Sequence, residues 1–170
     1  MSGGSGAAPR IEKLSSKHVI AEFDCGSEPL NRFLKTFALS NQASGSATTY
    51  LALSGDVVAG YYSLSVGSII FDDAPERLKK GLAQHPVPIM LMGRLGVDKS
   101  QSGNGLGKGL LLDALRRTVQ VADIASLRAI VVHAKDEPAK TFYEHFGFTA
   151  FPSKPLTLYA LLKDVRKMIG

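Results

Sequence analysis

Apolar residues recur along this chain with two periods, and the switches between those periods lay out its elements. Residues 10–14 open as a short edge strand, and 15–23 form a polar connection. Leu30, Phe33, Leu34, Phe37 and Ala38 then recur at helical spacing, predicting a helix capped by Ser27 with Pro29 in its first turn. Its other face carries Arg32, Lys35 and Asn41. Residues 47–53 and 57–70 have strand composition, and Ser54, Gly55 and Asp56 between them read as a tight hairpin turn, so an antiparallel pair follows. Gly60 and Gly67 inside the second run mark a bulge or a close backbone approach. A short charged segment, 72–83, is helical, and the stiff Pro86, Val87, Pro88 leads into the next strand.

The centre of the chain is 91–112: an apolar strand, a turn with glycine at 103, 105, 107 and 109, and a leucine-rich helix. Leu106, Leu110, Leu111, Ala114, Leu115 and Ala122 keep helical spacing, carrying that helix to about residue 122. Residues 127–134 are a nearly continuous apolar run rich in β-branched residues, as a buried central strand should be, and His133 within it reads as a core histidine with its hydrogen bonds satisfied. A right-handed crossover makes these strands parallel neighbours and puts the glycine turn at the C-terminal end of the first. Asp136 caps a further helix that starts near Pro138 and ends at Gly147. Residues 148–151 and 156–162 supply two more strands with prolines between them, and 163–169 a last helical turn or two. The sum is an α/β fold of the α+β type: one mixed sheet flanked by helices.

Composition narrows the class. The chain has 170 residues, 45% hydrophobic and 21% charged, which suits one compact domain with a real core. The expected organisation is a flexible leader over 1–9 and a single domain over 10–170. No run approaches the ~18 apolar residues of a membrane span, and the opening MSGGSGAAP lacks the apolar core of a signal peptide. A cytoplasmic protein is expected. The single Cys25 excludes an internal disulfide and a cysteine zinc cluster, and His18, His85, His133 and His145 have no metal-ligand spacing, so no metal is expected. A net charge of +5 favours an anionic partner, a solvated basic surface being the plainer alternative.

Glycines at the entry to a helix let several backbone N–H groups converge on one anion at the positive end of the helix dipole. A nucleotide P-loop is excluded by spacing: Ser102 replaces its first glycine and Gly109 its metal-binding hydroxyl. A dinucleotide fingerprint fails too, because Lys108 or Leu110 stands where the third glycine belongs. The remaining pattern, Gly103-Asn104-Gly105-Leu106-Gly107 before a helix, resembles the acetyl-CoA pyrophosphate loop of GNAT N-acetyltransferases. Downstream, Asp136, Ala139, Phe142, Tyr143, Gly147 and Phe148 resemble the segment that closes the CoA-binding half of the same enzymes. Phe23-Asp24-Cys25-Gly26, Leu30-Asn31, Phe33-Leu34, Gly60-Tyr61-Tyr62, Leu64, Pro88 and Gly93-Arg94-Leu95-Gly96-Val97-Asp98 are similar to the GNAT toxins of bacterial toxin-antitoxin modules. The likeness covers about 23–162.

That resemblance implies a GNAT fold and direct acetyl transfer from acetyl-CoA to the α-amino group of an aminoacyl-tRNA, which blocks translation. It implies main-chain contacts to acetyl-CoA at Leu95 and Val97, with Gly96 between them. Gly103, Asn104, Gly105, Gly107 and Lys108 would surround the pyrophosphate beside Ser102 and Leu106, Asp136 and Phe142 would complete the cofactor site, and Tyr143 would be the acid that meets the departing thiolate. It also implies a homodimer, a ribbon-helix-helix antitoxin and contact with DNA only through that antitoxin. Arg32, Lys35, Arg77, Lys79, Lys80 and Arg94 are candidates for tRNA phosphates. Two departures stand out: Ser102 sits where the family usually has Gln or Arg, with only Gln101 nearby, and Gly96 replaces a common Ala.

Each residue has a plainer reading. A tyrosine on an amphipathic helix packs more often than it reacts, and the flanking motif is what turns Tyr143 toward catalysis. Cys25 precedes a helix but has no histidine beside it in sequence, which disfavours a nucleophile. Asp136 reads as a cap rather than a base, and no residue is identified as the general base. Two other functions compete: an acetyltransferase for small or protein amines, separated by which amine is labelled, and a non-catalytic CoA-binding module, in which Tyr143→Phe would change no phenotype.

Overall fold

The structure, a computed structural model, describes residues 9–170. The first eight residues, most of the expected leader, lie outside the described residues. In chain order the elements are β1 Arg10–Lys13, α1 Glu28–Arg32, α2 Ala38–Ala43, β2 Thr48–Ser54, β3 Val57–Ile69, α3 Glu76–Lys79, β4 Val87–Val97, α4 Leu106–Ile124, β5 Ala129–His133, α5 Glu137–His145, β6 Thr149–Phe151, β7 Lys154–Leu161 and α6 Leu162–Ile169. The strands hydrogen-bond in the order β1-β2-β3-β4-β5-β7-β6. β4 and β5 are parallel, as the crossover rule requires, while β1–β2, β5–β7 and β6–β7 are antiparallel. The chain divides into two compact units, Leu95–Leu110 joining the described residues up to Ser63 in one, and Leu64–Arg94 with Leu111–Gly170 forming the other.

In the first unit, a core of Leu14, Phe23, Phe33, Leu34, Ala38, Leu51, Leu53, Val58 and Tyr61 is buried. Tyr61 anchors it: its ring meets Phe23 edge-on at 5.6 Å and stacks on Phe33 at 6.3 Å, and its hydroxyl donates to the Leu30 carbonyl at 2.7 Å. Burying that phenol is cheap because its polar end has a partner. The predicted helix from Ser27 is present but is not one regular α-helix. A π-turn over Phe33–Phe37 joins α1 to α2, closed by the Ala38 N–H donating to the Phe33 carbonyl. The extra residue rotates everything after Leu34, so Ala38 is buried while Phe37 is 41% exposed and lies under the Arg32 guanidinium at 5.6 Å. Phe37 is thus not a core residue. Ser27 occupies the cap position, but its side chain makes no capping bond, and Pro29 rather than the serine marks the start.

The second unit buries Ala74, Leu78, Val87, Ile89, Ala129, Val131, Phe151, Tyr159 and Leu161. The charged segment expected to be helical over 72–83 is a 3₁₀ turn, Phe71–Asp73, followed by the single turn of α3. Arg128 holds that turn: its guanidinium donates to the carbonyls of Leu78 at 3.0 Å and Lys80 at 2.8 Å, satisfying acceptors that the end of so short a helix leaves open. The Asp136 cap is as expected, its Oδ1 accepting from the Ala139 N–H at 2.9 Å, and Gly147 ends α5 with a φ of 91°.

Candidate active site

The last pair between β4 and β5 is Met92 with Val132, yet β4 continues through 93–97. Main-chain groups on that side of β4 therefore lose their strand partner, the arrangement an extended amide-bearing ligand can use. Gly96 is buried there. A methyl group on it would lie 3.3 Å from the Cys25 sulfur and 3.4 Å from the Tyr61 ring, so the space a side chain would need here is already filled by Cys25. Cys25 thus packs against the strand. Gly60 is a close approach: a Cβ there would stand 2.8 Å from Leu110 Cδ1 and 3.0 Å from the Gly96 carbonyl oxygen. Gly67 is different, its nearest contact being an ordinary 3.7 Å to Ile89.

After β4 the chain makes a 3₁₀ turn, Lys99–Gln101, and enters α4 through Gly103 and Gly105, whose φ values of 82° and 76° only glycine adopts cheaply. Gly107 and Gly109 lie within α4, and the Gly109 N–H donates to the Gly105 carbonyl at 3.1 Å. The N–H groups of Leu106, Gly107 and Lys108 precede the first intrahelical bond, so they are left for a ligand at the positive end of a 19-residue helix. Ser102, Asn104 and Lys108 are exposed around this opening. Asn104 Nδ2 lies 3.4 Å from Gln101 Oε1, so Gln101 turns toward the loop itself.

A polar lattice fixes the base of the loop. Asp98 Oδ1 accepts from the Ser100 N–H at 2.9 Å and its hydroxyl at 2.8 Å, and Oδ2 accepts from the Asp24 N–H at 3.0 Å. Asp24 Oδ1 in turn accepts from Asn31 Nδ2 and the Gly26 N–H, both at 2.9 Å, and Oδ2 pairs with Lys99 Nζ at 3.1 Å. Those bonds, Asn31 foremost, hold the Asp24 carboxyl well below the usual carboxylate range. Partial desolvation pulls Asp98 upward, but the donors from Asp24 and Ser100 outweigh it and its carboxyl also sits low. The Asp24, Asn31 and Asp98 triplet, quoted in sequence only as family likeness, is therefore what ties the start of α1 to the turn after β4.

On α5, Tyr143 is 5% exposed, set edge-on to Phe142 at 5.3 Å and against Phe148 at 5.6 Å. Burial pushes its phenol up, so it stays protonated through the neutral range. Asp136 is engaged as the α5 cap. Arg32 covers Phe37, Lys35 is exposed on the π-turn, Arg77 pairs with Asp164 at 3.1 Å, Lys79 pairs with Glu76 at 3.4 Å, Lys80 is exposed, and Arg94 is half-buried on β4. His133 corrects its sequence reading: it is exposed, because β5 ends there, and its Nδ1 lies 3.1 Å from Thr157 Oγ1. Among the described residues no three His, Cys, Asp or Glu side chains gather as a metal site, and no helix is long and apolar enough to cross a membrane.

Comparison with known proteins adds to this geometry. The acetyltransferase (GNAT) domain matches residues 16–156. The chain is 41% identical to a tRNA-acetylating toxin of Mycobacterium tuberculosis (strain ATCC 25618 / H37Rv), an alignment covering 100% of this chain and 99% of that protein. Its fold is similar to AtaT complexed with acetyl-methionyl-tRNAfMet, at a TM-score of 0.86 and 25% identity over 95% of this chain and 99% of that one. It is also similar to a tyrosine-to-phenylalanine mutant of AtaT bound to the C-terminus of the antitoxin AtaR and acetyl-CoA, at 0.80 and 26% over 94% and 96%.

Proposed function

This chain belongs to the GNAT acetyltransferase family, and from that premise we propose that it is a toxin moving acetyl from acetyl-CoA to the α-amino group of aminoacyl-tRNA. The observation that carries the reading is the 41% identity, end to end, to a tRNA-acetylating toxin. An acetylated amine cannot attack a peptidyl ester, so translation stops at that residue.

The residues fit the cofactor. Positive φ at Gly103 and Gly105 and the open N–H groups of 106–108 make a cradle for a pyrophosphate, with exposed Lys108 adding charge and Ser102, Asn104 and Leu106 shaping it. Main-chain groups of Leu95 and Val97, flanking Gly96, hold the pantetheine. When bound, acetyl-CoA supplies an acetyl thioester open to attack by an amine. Tyr143 keeps its proton at neutral pH and gives it to the departing thiolate, while Phe142 and the Asp136 cap hold the helix that carries it. The reaction needs no metal.

Arg32, Lys35, Arg77, Lys79, Lys80 and Arg94 serve the tRNA backbone. Residues 10–170 act as one domain, in the cytoplasm and away from membranes. The partners are a second copy of the chain and a ribbon-helix-helix antitoxin, through which alone DNA is contacted. Labelled acetyl-CoA offered with charged tRNA, deacylated tRNA, polyamines and peptides tests the reading. Label should enter charged tRNA; label confined to polyamines or peptides refutes it.

A further inference from the structure

The second unit contains a cavity of about 650 Å³ that none of the roles above uses. Its apolar wall includes Ile89 and Leu91 of β4, Val131 of β5 and Phe151 of β6. Its charged and polar groups include Asp72 and Asp73 from the 3₁₀ turn, Lys154 and Thr157 from β7, and His133 at the end of β5. Because Met92 pairs with Val132, His133 stands level with Gly93, where β4 first runs on without β5. The histidine therefore marks the place where the sheet opens, inside a pocket with acidic groups at one side.

We propose that this cavity receives the amino end of the acceptor and that His133 is the catalytic residue that takes its proton. This rests on the acetyl-transfer reading above. An α-amino group has an ordinary pKa of about 7.7–8.0, so at pH 7 it arrives as an ammonium with no lone pair to attack. Asp72 and Asp73 draw the cation in, and the apolar wall disfavours its charge. His133 Nδ1 lies 3.1 Å from Thr157 Oγ1, and in the tautomer that donates Nδ1–H to that hydroxyl the imidazole presents Nε2 as acceptor. Desolvation, then the nearby Lys154, lowers the His133 pKa from 6.5, which keeps the ring neutral and able to accept.

Atoms balance. Nε2 takes one proton from the ammonium, and the freed nitrogen pair bonds to the acetyl carbon as the carbon–sulfur bond breaks. Tyr143 gives the thiolate a proton and recovers one from the acylated nitrogen, while His133 passes its proton to solvent. Thr157 acts through His133 and is a positioning residue.

The test compares wild type, His133→Gln and Thr157→Val at saturating acetyl-CoA across pH 5.5 to 9, with acetyl-CoA affinity measured separately by calorimetry. His133→Gln should lower kcat by ~10²-fold or more and move the acidic limb of its pH profile up toward the amine's own pKa, with acetyl-CoA affinity unchanged. Thr157→Val should lower kcat less and displace that limb. A His133→Gln enzyme with the wild-type kcat and limb overturns the proposal. Should the variant not fold, NMR titration of His133 in the wild type decides: a 3′-amino-linked aminoacyl adenosine must perturb its ring signals, and no perturbation overturns it. If wild type acetylates small amines and not charged tRNA, the tRNA reading fails while the same His133 comparison, run on those amines, still decides this proposal.

Discussion

Gly60→Ala probes the contact that sets β3 against β4. Gly60 has no positive φ, so the backbone tolerates alanine and the effect comes from contact alone. The new methyl would sit 2.8 Å from Leu110 Cδ1 and 3.0 Å from the Gly96 carbonyl, with Leu106 Cδ2 at 3.4 Å. Leu110 is fully buried and cannot swing away, and the carbonyl belongs to the backbone. Overpacking of this kind costs ~1–3 kcal/mol, and the loss of unfolded-chain entropy returns ~0.4–1, leaving about 1–2 kcal/mol of destabilisation. For a chain of this size that lowers Tm by about 2–8 °C. Because the displaced groups flank Leu95 and Val97, the KM for acetyl-CoA should rise as well. Thermal unfolding by circular dichroism and calorimetric titration of acetyl-CoA read both effects. Adding Leu110→Ala should absorb the clash, giving a coupling of ~0.5–3 kcal/mol in a double-mutant cycle. An unchanged Tm with unchanged acetyl-CoA affinity would refute the reasoning.

Three further perturbations separate the roles assigned above. Tyr143→Phe keeps the ring contacts, so Tm and acetyl-CoA affinity should hold while kcat falls by ~10²–10⁴; equal loss of binding in calorimetry would point to packing instead. Gly105→Ala forces a side chain onto a φ of 76°, a strain of ~1–2 kcal/mol, so acetyl-CoA should bind about tenfold more weakly by titration. Asp24 has a folded pKa below its ordinary 3.8, so its contribution is complete above that value and lost as pH falls below it. Urea midpoints measured from pH 7 down to 2 should drop in that acidic window, and Asp24→Asn should flatten the drop; an identical profile in the variant would remove Asp24 from the lattice.

Much of this fold could be read from residue spacing because the signals were long or chemically explicit. Leucines at helical spacing after Gly105 set α4, the run rich in β-branched residues set β5 beside β4, and Asp136 with Gly147 bracketed α5. The failures have local causes. One inserted residue at Phe33–Phe37 breaks the 3.6 period, so the spacing misplaced Phe37 on the buried face. His133 reads as core because its neighbours are apolar, but a strand's last residue can leave the core that the run occupies. The candidate cofactor loop was legible as glycines at fixed offsets. Its support was not, since Asp24 and Asp98 are 74 residues apart and meet only in the fold. Nor was the cavity, whose walls come from separate strands with no shared motif.

The central claim is that the acceptor is the α-amino group of a charged tRNA. It is tested most directly by incubating the protein and acetyl-CoA with a mixed pool of aminoacyl-tRNAs, then identifying the released aminoacyl-adenosines by mass spectrometry. N-acetylated aminoacyl-adenosine should form with wild type and disappear with Tyr143→Phe. Charged tRNAs recovered without acetyl, from a preparation that binds acetyl-CoA and acetylates another amine, would contradict it.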